Sequence, residues 1–176
     1  MTTEQTTTPE TLVSATMESP VGELTIVASD AGLRAVLWPV EKDGRVTFAE
    51  KVTSGSHPII DDTTTQLDEY LHGARAEFDL PLDLVGTDFQ QDVWAALRGS
   101  AHGETMSYGE LAAELGKPNA TRAVGAATGR NPISIVVPCH RLVASSGKLA
   151  GFAGGLDAKR WLLEHEQPAG TFDFES

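Results

Sequence analysis

The chain has 176 residues, 40% hydrophobic and 22% charged, the balance of a soluble globular protein with one ordinary or two small domains, and no apolar run approaches the roughly 18 residues of a membrane span. Its formal charge of −12 argues against a nucleic-acid partner only until it is divided: residues 1–84 carry fifteen acids and five bases, whereas 115–160 carry seven bases and one acid, a basic stretch inside an acidic protein. The single cysteine, Cys139, lies in that stretch, which excludes an internal disulfide and a multi-cysteine zinc site and leaves burial or chemistry at sulfur.

Residues 1–11 are polar, threonine-rich and interrupted by Pro9, the composition of a disordered tail without the basic and apolar regions of a secretory signal. A cytoplasmic protein is expected, where the thiol stays reduced. From Val13 to Trp38 apolar residues alternate through Leu24, Ile26 and Ala28, break at Ser29-Asp30-Ala31-Gly32 and resume at Leu33, which predicts an antiparallel meander. Leu67, Tyr70 and Leu71 among polar neighbours predict a short amphipathic helix over 61–72, and Phe78 to Leu84 reads as a returning strand. Gly86-Thr87-Asp88 joins a breaker to a helix N-cap, so a boundary is expected near residue 86, between domains of 12–85 and 86–168.

Beyond the boundary the signals are helical. Phe89, Val93, Trp94 and Leu97 share one stripe ending at Gly99, and Ser107-Tyr108-Gly109-Glu110 has capping-box spacing. Gly116-Lys117-Pro118-Asn119 closes that helix and caps the next, Ala120 to about Thr128. Two short helices across a tight turn outline a helix-turn-helix, whose second member offers mostly small side chains to a groove. Asn131-Pro132 ends it, Ile133, Ile135 and Val137 alternate as a short buried strand, and Pro138 presents Cys139 at the strand end. Gly151 to Gly155 reads as flexible, a helix from Asp157 to Glu166 buries Trp161 and Leu162, and 169–176 reads as a flexible tail.

A thiol attacks carbon as the thiolate, and an ordinary cysteine is only a few per cent ionised at neutral pH, so Cys139 needs a base or a positive neighbour. His140 and Arg141 are adjacent, but neighbours on a strand face opposite sides, so adjacency alone does not pair them. Taken singly, each residue has an ordinary reading: Cys139 as core, His140 as a structural histidine, Glu166 as a helix-end acid, Arg122 as a surface arginine.

Taken together, Tyr108, Arg122-Ala123-Val124-Gly125, Asn131-Pro132, Val137-Pro138-Cys139-His140-Arg141, Gly151-Phe152-Ala153-Gly154-Gly155 and Leu162-Leu163-Glu164-His165-Glu166 resemble, in order and spacing, the C-terminal domain of the O6-alkylguanine-DNA alkyltransferases over about residues 86–166. The resemblance implies an α+β protein: an N-terminal ribonuclease-H-like mixed α/β domain and a C-terminal winged helix-turn-helix domain. It implies irreversible, single-turnover transfer of the alkyl group from O6-alkylguanine, and from O4-alkylthymine, in DNA to Cys139, without cofactor. By the same resemblance His140 takes the thiol proton through a water, Glu166 orients the imidazole, Tyr108 protonates the departing guanine, and Asn131 fixes the turn into the active-site segment. Arg122 enters the duplex in place of the flipped base, Ser107, Ala123, Gly125 and Arg141 also meet the DNA, and Val137, Pro138, Phe152, Ala153 and Gly154 wall the substrate pocket.

Some positions depart from the family pattern. Residues 1–84 hold no cysteine, and His57 and His72 alone do not make the zinc site of some relatives. No metal is expected. Phe152 stands where tyrosine is frequent, and Ser100-Ala101-His102-Gly103 replaces a more apolar turn. The expected partner is double-stranded DNA carrying alkylated bases, met by a monomer and away from membranes. Two rival readings are a damage sensor without alkyl transfer, against which Cys139 weighs, and a sequence-specific regulator, against which the small-residue helix weighs.

Overall fold

The computed structural model describes residues 11–149 and 151–167; the expected tails at 1–10 and 169–176 lie outside the described residues. Thr11, expected to close the first tail, instead opens a strand. β1 (Thr11–Met17), β2 (Leu24–Ala28) and β3 (Leu33–Leu37) pair antiparallel in chain order, the meander that the alternation predicts. A fourth strand, β4 (Lys51–Ser54), adds parallel to β1, giving the order β3-β2-β1-β4. Its residues are largely exposed, so no apolar alternation marks it in the sequence.

α1 (Pro58–Leu71) covers the sheet with Ile60, Leu67, Tyr70 and Leu71 buried. It begins earlier than the periodicity suggests because His57 is its N-cap: Nδ1 accepts from the Ile59 N–H at 3.1 Å, and Nε2 lies 3.1 Å from Asp30. The returning strand expected over 78–84 does not form. Leu82 makes one isolated bridge to Leu33, and the proline at 81, lacking an N–H, can give the ladder only its carbonyl, on which Leu33 N–H rests at 2.8 Å.

The second half opens with α2 (Asp88–Arg98), capped reciprocally by Thr87 and Gln90 and burying Val93, Trp94 and Leu97. Then follow β5 (Met106–Ser107), α3 (Tyr108–Glu114), α4 (Thr121–Gly129), a 3-10 turn over Cys139–Arg141, β6 (Leu142–Val143), paired parallel with β5, and α5 (Leu156–His165). α3 and α4 are the two helices of the expected helix-turn-helix. Ser107 Oγ accepts from the Glu110 N–H at 3.0 Å, the forward half of the expected box. Asn119 is not the cap, because α4 starts one residue later than expected, at Thr121, and the N-cap position falls on Ala120, whose own N–H closes a turn on the Lys117 carbonyl.

The strand expected through Ile133, Ile135 and Val137 is instead a folded-back loop. Val136 N–H bonds Ser134 O, Val137 N–H bonds Ile133 O, and Ile135 takes φ of +73°, a strained state for a β-branched residue. Residues 131–143 are buried throughout, so both faces are apolar and alternation carries no register. The N-terminal half helps to hold it: Val36 of β3 donates to the Pro132 carbonyl at 3.0 Å, carrying the N-terminal sheet into the second half. α5 buries Leu162 and Leu163, while Trp161 is half-buried and stacks on His165 at 4.7 Å. Among the described residues no helix is long and apolar enough to cross a membrane.

Candidate active site

Cys139 is 5% exposed, yet it lines a cavity of about 620 Å³ together with Tyr108, Gly125, Thr128, Phe152 and Ala153. The thiol therefore has an approach. The outer wall comes from the N-terminal half, the loop Lys42 to Arg45. Trp38 supports the inner wall: its ring meets Phe152 edge-on at 5.3 Å and its Nε1 donates to Ser134 Oγ at 3.0 Å.

Asn131, fully buried, ties down the loop leading to the cysteine. Its Nδ2 donates to the Val137 carbonyl at 2.8 Å and its Oδ1 accepts from the Ile133 N–H at 3.0 Å. Arg45 reaches across to donate to the Asn131 carbonyl at 2.8 Å. At the end of this loop Cys139 and His140 occupy successive positions of a 3-10 turn, so the opposite-face geometry of a strand does not apply.

The two residues after the thiol, His140 and Arg141, belong to a buried ionic cluster. His140 Nε2 lies 2.7 Å from Glu166 Oε1, and Arg141 donates to the same carboxylate through Nε at 2.9 and 3.1 Å and through Nη2 at 2.9 Å. Burial opposes ionisation of Glu166, but the bonds and charges of His140 and Arg141 outweigh it and hold the carboxyl down to about 2. Burial pushes His140 below its ordinary value, against the pull of Glu166. An ionised carboxylate beside a neutral imidazole follows. The bond to a carboxylate assigns the hydrogen to Nε2, which leaves a lone pair on Nδ1; that atom is buried without a hydrogen-bond partner among the described residues.

Burial also pushes the Cys139 thiol up, against the Asn131 amide and the charges of Lys159 and Arg45. The resting thiol is protonated and needs a base. Burial, and then Cys139, push Tyr108 up, which keeps its hydroxyl a donor. Lys159, 1% exposed, has its ammonium 5.9 Å from the Phe152 ring centre; burial lowers it to about 8, with Cys139 opposing.

Several expected site residues stand elsewhere. Arg141, expected at DNA, is 7% exposed and committed to Glu166 and Ser100, because the buried carboxylate needs a compensating charge. Ser107 is buried as the cap of α3, so its oxygen is engaged by backbone. Val137 is fully buried beside Asn131, and Pro138 lines a different cavity from the thiol. Gly154 packs under Trp38, where a Cβ would come within 2.5 Å of the indole. Arg122 and Ala123 are exposed on α4, and Gly125 backs Tyr108, a Cβ there lying 3.8 Å from its ring.

The sequence reading misses Lys159, Trp38 and the 42–45 loop. Nothing local marks them: their roles come from contacts made across the chain. Among the described residues no group of three or more His, Cys, Asp or Glu could hold a metal ion.

Fold and site together define a two-domain protein in which a helix-turn-helix borders a cavity lined by one buried cysteine. Residues 88–168 match the DNA-binding domain of 6-O-methylguanine DNA methyltransferase, and residues 12–84 match its ribonuclease-like domain. The chain belongs to the 6-O-methylguanine DNA methyltransferase family, with a ribonuclease-like N-terminal domain and a DNA-binding C-terminal domain. It is 45% identical over 160 residues to a methylated-DNA–protein-cysteine methyltransferase of Mycobacterium bovis, covering 90% of this chain and 94% of the relative. A relative of the same name from Salmonella typhimurium is 42% identical over 166 residues, covering 88% and 95%. The crystal structure of Mycobacterium tuberculosis OGT in complex with DNA superposes with a TM-score of 0.81 at 44% identity, covering 88% of this chain and 92% of that one.

Proposed function

We propose that the protein repairs DNA by direct reversal, moving the alkyl group of O6-alkylguanine, and of O4-alkylthymine, irreversibly to its own Cys139. The observation that carries this reading is the 2.7 Å contact of His140 Nε2 with a buried, Arg141-held Glu166, at the residue next in sequence to a cysteine that lines a cavity. In the proposed sequence His140 Nδ1 takes the thiol proton through a water. Sulfur attacks the alkyl carbon, the S–C bond forms as the C–O bond breaks, and the electron pair goes to the base. Tyr108 donates its proton to the guanine ring and recovers one from the imidazolium. The product thioether has no leaving group, so each molecule reacts once.

Arg122, exposed at the start of α4, is suited to take the place of the extruded base, whose unstacking costs a few kcal/mol. Ala123 and Gly125 keep that helix slim beside it. Phe152 and Ala153 wall the alkyl pocket, and Asn131 holds the loop in register. The protein is read as a cytoplasmic monomer that acts without metal.

Incubation with a duplex containing O6-methylguanine, followed by peptide mass spectrometry, tests the reading. One methyl group on Cys139 is the expected result; an unmodified Cys139 after exposure to excess substrate overturns it.

A further inference from the structure

The relay carboxylate has another ionisable neighbour besides His140 and Arg141. His102 Nδ1 lies 3.7 Å from Glu166 Oε2, and its side chain is 30% exposed where that of Glu166 is 1%. The turn that carries it is fastened to the relay at both ends. Arg141 Nη1 donates to the Ser100 carbonyl at 2.8 Å and to its hydroxyl at 3.1 Å, and Gln167 Nε2 donates to the Gly103 carbonyl at 2.6 Å. Gly103 has φ of +86°, and a Cβ there would lie 3.1 Å from the Glu166 carbonyl, so the turn is seated on the end of α5. The Tyr70 ring meets the imidazole edge-on at 6.1 Å. Behind these groups an open cavity of about 490 Å³, lined in part by His102, Arg75, His165 and Glu166, shares no lining residue with the thiol cavity.

We propose that His102 is a positioning residue for the relay: its imidazolium, facing Glu166 Oε2 from the solvent side, keeps His140 in the neutral, proton-accepting form to lower pH than the His140–Glu166 pair alone would. The proposal rests on the repair reading above. A positive charge placed beside the pair opposes a second one on His140. No proton need leave by this route, because the thiol proton ends on guanine; the role is electrostatic.

The charges facing His102 come from several elements. Glu166 and, across the adjoining cavity, Glu77 are the acids on its side. Arg141, Arg98 and Arg75 are the bases. Arg141 is neutralised by Glu166, and Arg75 has Glu69 at 3.4 Å. His165, whose Nε2 is bonded to the Tyr70 carbonyl at 2.6 Å, faces the same cavity.

The test is the single-turnover rate of methyl transfer from an O6-methylguanine duplex between about pH 5 and pH 8, where imidazoles titrate. Three proteins are compared: wild type, His102→Phe, which keeps a flat ring against Tyr70, and His102→Lys, which keeps a cation. At the acid end His102→Phe is expected to lose rate relative to wild type by roughly threefold, while the two agree near pH 8; His102→Lys follows the wild-type profile. His102→Gln repeats the neutral substitution if the phenylalanine variant does not fold. Coincident profiles for wild type and the neutral variants, or a lysine variant displaced as far as the neutral ones, overturn the proposal while leaving the repair reading intact. No transfer by the wild-type protein at any pH overturns the reading itself.

Discussion

Glu166 accepts from His140 and Arg141 while almost wholly shut from water, so removing it strands a buried guanidinium. Glu166→Ala is expected to cost about 3–5 kcal/mol in urea unfolding. Glu166→Gln keeps the shape but weakens the hold on the imidazole, and is expected to slow transfer by about a hundredfold with smaller loss of stability. Equal rates for wild type and Glu166→Gln would remove the carboxylate from the chemistry. Cys139→Ala should abolish methyl uptake, read by mass spectrometry, and leave duplex binding within about twofold, whereas Arg122→Ala should weaken duplex binding by roughly tenfold with the thiol still alkylated by a free-base analogue. Loss of both activities in both variants would contradict that division. At this scale the sequence was informative where residues form an ordered motif: Asn131 is tied to the Val137 carbonyl and His140 lies against Glu166. It misled at Arg141, whose motif position says nothing of the buried charge it must neutralise.

Helix punctuation was legible at Thr87 and Ser107 but not at His57 or Asn119, and the active-site loop was not legible. Thr87 and Ser107 cap as their spacing requires, because capping is a local bond between residues three apart. The segment 131–138 is shaped by Asn131, by Val36 and by burial on all sides, none of which its own alternation encodes. The same holds for β4, a strand without an apolar face. Gly154 tests how tightly this region is built. Gly154→Ala must displace Trp38, and with it the contacts to Ser134 and Phe152. The expected cost is about 1–3 kcal/mol in thermal unfolding, with slower transfer. An unchanged melting midpoint and unchanged rate would mean that Trp38 yields freely and does not brace the cavity.

For the molecule as a whole, the buried relay makes stability depend on pH in one direction. Glu166 is held down to about 2, from 4.5, and His140 lies below 6.5 when folded, so the unfolded chain binds both protons more readily. Their contribution is complete above those unfolded values and is lost as pH falls, first below about 6.5 through His140 and then between about 4.5 and about 2 through Glu166. Urea midpoints should therefore decline steadily on acidification, and His140→Phe should flatten the upper part of that decline; a midpoint indifferent to pH from 7 down to 4 would contradict the assignment. The net charge of −12 hides this organisation, since its acids crowd the first half while the nucleophile sits in the basic part of the second. One further consequence lies in the cavity's outer wall. Because Lys42 to Arg45 border it from the opposite half of the molecule, the rim of the cavity is drawn by residues distant in sequence from Cys139, and exchanges at Lys42 or Asp43 alter that rim while leaving Arg45 on the Asn131 carbonyl.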